Sequence, residues 1–233
     1  MNEIQINLRQ RLHHLKDDAY LEFSSKLNPG IKVIGVRIPI LRTIAKNYLK
    51  KPKEAYLLIS PYSTSDEPFL EELMITAILI ANLQITDRFE KINYFFRYLK
   101  GWALCDLLCA ELKEARNNLD LYWKFVYPKF TSKDPAQLRF AAVMTLNYFT
   151  EKKYLNNILK AISHKEYTDY YASMGVAWLV AELFVKYPDK IYIFLKEKNL
   201  YPLTWRQTLK KILDSYKVTA VQKTLIRELK EKK

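Results

Sequence analysis

The chain is short of glycine, cysteine and histidine, and each shortage closes off a class of function. Only four glycines occur among 233 residues, and neither a GxGxxG fingerprint nor a GxxxxGK[ST] phosphate loop is among the motifs present. A GxSxG nucleophile elbow is missing too, which removes most support for nucleotide-dependent or ordinary hydrolase chemistry. The two cysteines, Cys105 and Cys109, stand four apart, with neither CxxC spacing nor a disulfide framework, and read as packed, reduced thiols of a cytoplasmic protein. The three histidines, His13, His14 and His164, show no metal-ligand spacing and no partner Cys or Asp cluster, so no metal site is expected. Long apolar runs are also lacking. The stretch Ile75–Ala81 falls far short of the ~20 residues a membrane span needs, and MNEIQINLRQRLHH has no apolar signal core.

What the chain has in excess is positive charge. Lys and Arg total 38 against 25 Asp and Glu, a net charge of +13 that favours a polyanionic partner. The excess is uneven: residues 1–60 carry +6, residues 61–120 carry −4, residues 121–180 carry +4 and residues 181–233 carry +7. Two basic ends flank an acidic middle.

Apolar spacing is helical throughout. Leu41, Ile44, Ala45 and Tyr48 form one stripe, Leu70, Leu73, Ala77 and Ile80 a second, and Phe140, Val143, Met144 and Tyr148 a third. Strand-type alternation is almost absent, and Val33–Val36 is too short to build a sheet. Several of the nine prolines, Pro39, Pro52, Pro68, Pro135, Pro188 and Pro202, stand where helices should begin, since the first turn has no use for the N–H that proline lacks. Further breaks are expected near Asp87, Gly101, Asn117–Asn118, Ser163–His164 and Lys217. The punctuation predicts about a dozen helices of 8–18 residues joined by short turns, the pattern of stacked antiparallel helix pairs. A globular helical bundle is the competing architecture. No low-complexity linker divides the chain, so residues 1–233 read as one domain.

Two tryptophans and one carboxylate stand out as candidate chemistry. Trp102 and Asp106, in GWALCDLL, are four apart and share a helix face. Asp106 lies among Leu104, Cys105, Leu107, Leu108 and Cys109, and a lone acid in such a run must be paired, hydrogen-bonded or functional. Arg139 lies in AQLRFAAV and Trp178 in SMGVAWLV. From the residues alone, the plain reading pairs Asp106 with Arg139 or a helix N-terminus and puts both tryptophans in the core.

The segments GVRIPILRTIAK (35–46), the Trp-xxx-Asp of 102–106, QLRFAA (137–142), VAW (176–178) and TWRQTLKKI (204–212) appear in this order. Together they resemble the AlkD-type DNA alkylation-repair family, over Gly35 to Tyr216. The resemblance implies an all-α, HEAT-like solenoid of stacked antiparallel helix pairs with a concave basic face. It implies a monomeric, cofactor-independent DNA glycosylase that excises cationic N3- or N7-alkylpurines from double-stranded DNA. By this resemblance Asp106, Trp102 and Trp178 are catalytic, and Arg139 and Arg206 bind DNA. Residues 1–34 then form the first helices of the stack. Basic residues usual in the family are missing near Arg139 and at Met174 and Ala181, so a non-catalytic HEAT-like module that binds nucleic acid or protein is the alternative.

Overall fold

In a computed structural model the described residues, 1–62 and 66–231, contain fourteen α-helices, three short 3-10 turns and no β-strand. The chain divides into two compact units, Met1–Lys113 and Glu114–Lys233.

The first unit holds α1 (Glu3–His14), α2 (Asp18–Leu27), α3 (Ile38–Leu49), α4 (Pro52–Ile59), α5 (Leu70–Ala81), α6 (Ile85–Phe95) and α7 (Ala103–Glu111). Side by side, α3 packs on α5 and α5 on α7, while α4 packs against α1, α3 and α5. Alternate helices thus stack as neighbours, with the intervening ones paired against them, which is the arrangement of HEAT-like helical repeats. Helix α5 is buried along its whole length, as its apolar character on every side requires.

The second unit repeats the plan with α8 (Leu119–Val126), α9 (Pro135–Tyr148), α10 (Lys152–Ile162), α11 (Tyr170–Lys186), α12 (Pro188–Lys196), α13 (Pro202–Asp214) and α14 (Ala220–Glu231). Here α11 lies between α9 and α13, and α14 packs on α13. A buried hydroxyl cluster ties α11 to α13: the Ser173 hydroxyl lies 2.9 Å from that of Thr204 and donates to Gln207 Oε1 at 2.5 Å.

Helix starts follow the proline signals. Pro52, Pro135, Pro188 and Pro202 each open a helix, and Pro39 lies in the first turn of α3. The Asp134 carboxylate caps α9 by accepting from the Ala136 N–H at 2.9 Å, and Asp169 caps α11 through Ala172 at 2.8 Å. Two expectations shift. Pro68 lies two residues before α5, because the Glu72 carboxylate reaches back to the Phe69 N–H at 2.8 Å and sets the start after it. Asp87 is no break; it sits in the first turn of α6, where an acid favours the positive end of the helix, and the turn falls at 82–84.

The segment 33–36 is extended but pairs with no strand. A buried carboxylate takes the place of a partner: Glu71 Oε2 accepts from the Ile34 N–H at 2.9 Å, and Oε1 accepts from Gly35 at 2.7 Å and Val36 at 3.2 Å. On the other side the Gly35 carbonyl accepts from the Asp17 N–H at 3.0 Å. Gly35 has φ +98°, and a Cβ there would lie 2.6 Å from Leu21 Cβ and 2.9 Å from the Asp17 carbonyl oxygen, so the strap requires glycine.

Candidate functional site

Within the first unit the candidate residues sit where α7 begins. Gly101, at φ +79°, turns the chain into the helix directly before Trp102. Trp102 is the N-cap residue, and its carbonyl accepts the first intrahelical bond from the Asp106 N–H at 2.9 Å. Asp106 therefore stands in the first turn, where the unshared backbone N–H groups favour a carboxylate. Its flanking residues Leu104, Cys105, Leu107, Leu108 and Cys109 are all buried, while Asp106 itself is only half-buried. Trp102 is 38% exposed, so the indole is not a core side chain. One helix turn thus presents a half-buried carboxylate and an open aromatic face together.

Trp178 stands midway along α11 in the second unit. Its neighbours Ala177 and Leu179 are fully buried, yet Trp178 is 36% exposed. One turn earlier, Gly175 lets α9 approach: a Cβ there would touch Arg139 Cγ at 3.4 Å. Arg139 is only 6% exposed, and its Nη1 donates to the Tyr171 carbonyl at 2.8 Å. That bond ties it to the backbone at the start of α11. Ala181, three residues beyond Trp178 on α11, is itself buried. Arg206 is exposed on α13, next to Trp205, whose indole N–H donates to the Leu195 carbonyl at 2.8 Å.

The remaining tryptophan shows what a packed one looks like. Trp123 has ring centroids 5.0 Å from Tyr127, 5.2 Å from Phe149 and 4.7 Å from Tyr154, a closed aromatic cluster.

A family of proteins described as DNA alkylation repair enzymes matches residues 8–212. The chain belongs to this family. The match begins inside α1, ahead of Gly35 where the resembling segments start, and so takes in most of the N-terminal helices. Family membership assigns the chain a role in the repair of alkylated DNA, with DNA as its partner. No curated protein matches it significantly. No helix among the described residues is long and apolar enough to cross a membrane. No group of three or more His, Cys, Asp or Glu side chains among them could hold a metal ion.

Sequence reasoning missed the surroundings of Arg206. Tyr201 donates its hydroxyl to Glu166 Oε1 at 2.7 Å, a bond that raises the phenol pKa above its usual value. Trp205, Lys198 and His164 gather beside it from three separate stretches of chain. Thirty or more residues separate His164 from the others, and no local pattern announces such a meeting.

Proposed function

We propose that the protein is a DNA glycosylase that excises purines alkylated at N3 or N7 from double-stranded DNA. The observation that carries this reading is the pairing of a half-buried Asp106 with a 38%-exposed Trp102 on a single turn. A purine alkylated at N3 or N7 bears a positive charge. When its C1′–N bond breaks, the bonding electrons neutralise that charge on the base, and the departing purine needs little acid help. The positive charge passes to the deoxyribose as an oxocarbenium-like cation. Asp106 stabilises that cation electrostatically and accepts a hydrogen bond from the water that adds to C1′ and then loses a proton. Trp102 and Trp178 offer indole faces, which attract cations and sugar C–H groups. Arg206 binds phosphate. Arg139, only 6% exposed, holds the Tyr171 carbonyl and so fixes the start of α11, the helix that carries Trp178.

The test is release of 7-methylguanine and 3-methyladenine from methylated duplex DNA. Asp106→Asn, which keeps the shape and removes the charge, is expected to lower release by about a hundredfold or more while DNA binding stays near wild type. Release by the variant at the wild-type rate would remove Asp106 from the mechanism.

The burial of Arg139 withdraws one expected DNA contact and favours a second reading, a HEAT-like module that binds nucleic acid or protein without excising bases. Folded wild-type protein that binds duplex DNA with a steep salt dependence yet releases no methylated base would select it.

A further inference from the structure

Between the loop after α10 and the start of α13 lies a cavity of about 520 Å³; Arg206 on its rim is the one lining residue that the proposed excision also uses. Its apolar lining comes from Leu200, Tyr201, Pro202 and Trp205. Around it stand Lys198, Arg206, Lys230 and the imidazole of His164. The volume lies in the range of small-molecule pockets, and the combination of an aromatic floor with a cationic rim selects ligands that have one flat apolar part and one anionic part.

The rim is built rather than incidental. His164 (φ +53°) and Lys198 (φ +55°) both line the cavity, and among the described residues they alone, other than glycine, have positive φ. Two such residues at one place mark a backbone held in an uncommon shape by its surroundings. What holds it is visible: the His164 N–H donates to the Asn199 carbonyl at 2.8 Å, and Tyr201 donates to Glu166, so the two loops are clipped together twice. Trp205 is fixed by its bond to Leu195. The nearby carboxylates are already accepting, Glu166 from Tyr201 and Glu197 from Asn199 Nδ2 at 2.9 Å. Lys198, Arg206 and Lys230 form no salt bridge among the described residues.

We propose that this cavity is a nucleotide site, in which an unpaired nucleobase lies against Trp205 and Leu200 while its phosphate meets Lys198, Arg206 and Lys230. The same chemistry is offered by an unpaired nucleotide of a DNA strand and by a free mononucleotide. The proposal does not depend on base excision, and the test keeps the two apart.

The probes are a short duplex carrying 2-aminopurine in one unpaired terminal nucleotide, the same duplex with blunt ends, and free 2-aminopurine deoxyriboside monophosphate. Base stacking on Trp205 changes 2-aminopurine fluorescence. Wild type is expected to quench the unpaired base and to bind that duplex more tightly than the blunt one. Pro202→Phe, at an exposed position in the first helical turn, fills the mouth without altering a charge; it should abolish quenching and leave blunt-duplex affinity and methylpurine release unchanged. Lys198→Ala should weaken the unpaired-base complex by roughly tenfold, the worth of one charge-assisted phosphate contact, and leave the blunt duplex unaffected. Quenching of the free nucleotide alone assigns the site to mononucleotides. Quenching that persists in folded Pro202→Phe, or wild type that binds neither the unpaired base nor the free nucleotide, overturns the proposal.

Discussion

Replacing Glu71 by glutamine strikes the contact that holds the strap 33–36 to the central helix of the first unit. The carboxylate is 2% exposed and accepts three backbone N–H groups, one on Oε2 and two on Oε1. A glutamine has one oxygen to offer. In its best orientation that oxygen keeps Gly35 and Val36, and the amide NH₂ then faces the Ile34 N–H, donor against donor. One buried donor left unsatisfied costs about 1–3 kcal/mol, and the two surviving bonds lose their charge assistance at about 1 kcal/mol each. The expected loss is about 3–5 kcal/mol, or roughly 6–20 °C in melting temperature for a chain of this size. Urea unfolding followed by circular dichroism, with wild type and Glu71→Gln sharing one denaturant slope, reads the difference directly. A loss below about 1 kcal/mol would show that the strap is held by apolar packing and that the carboxylate cradle adds little.

Three further outcomes follow from single sites. Gly35→Ala should destabilise by about 2–4 kcal/mol, since Leu21 and the Asp17 carbonyl would both have to move, whereas Gly30→Ala meets nothing within 4 Å and should cost only about 1 kcal/mol of backbone strain; equal losses in urea unfolding would refute the steric account. Tyr167→Phe removes a buried hydroxyl with no hydrogen-bond partner and should leave stability unchanged or raise it by about 1 kcal/mol. Burial raises the Tyr167 pKa, so its contribution is fully present below about pH 10, the unfolded value, and is lost as pH climbs from there toward the folded value; the phenylalanine variant should show a shallower alkaline decline. Burial lowers Lys129 to about 8, so the unfolded chain holds more protons between about pH 8 and 10.5 and stability rises with pH across that window; Lys129→Met should flatten the rise, and an unchanged slope would count against it.

Much of the helical plan was legible because it rests on local rules. Proline at a first turn and aspartate at an N-cap act within four residues, and four of the six marked prolines open helices outright. The failures came from a competing cap or from a partner further away. Pro68 is displaced from the start of α5 by a carboxylate three residues beyond Phe69, and the strap 33–36 is explained only by Glu71, more than thirty residues on. Segment charge likewise does not say where its carboxylates go. In the acidic middle, 61–120, Glu71 serves backbone N–H groups, Glu72 holds Arg9 through two bonds of 2.9 and 2.8 Å, and Glu111 pairs with Arg42 at 2.8 Å. These carboxylates neutralise charge inside the first unit.

The candidate site divides along the same line. Asp106 and Trp102 are one turn apart, so their shared face follows from helix geometry and was readable in the sequence. Trp178 was not: in VAWLV it has the surroundings of a core residue, and only the packing of α9 and α13 on either side of α11 leaves it open. Arg139 shows the reverse. Set in an apolar run much like that of Asp106, it carries the same signal of a polar group with a purpose, and the structure gives it a backbone carbonyl as partner. A polar residue among apolar ones must be satisfied, by a packing partner or by a ligand. Sequence states that need, and the neighbouring helix decides which of the two answers it.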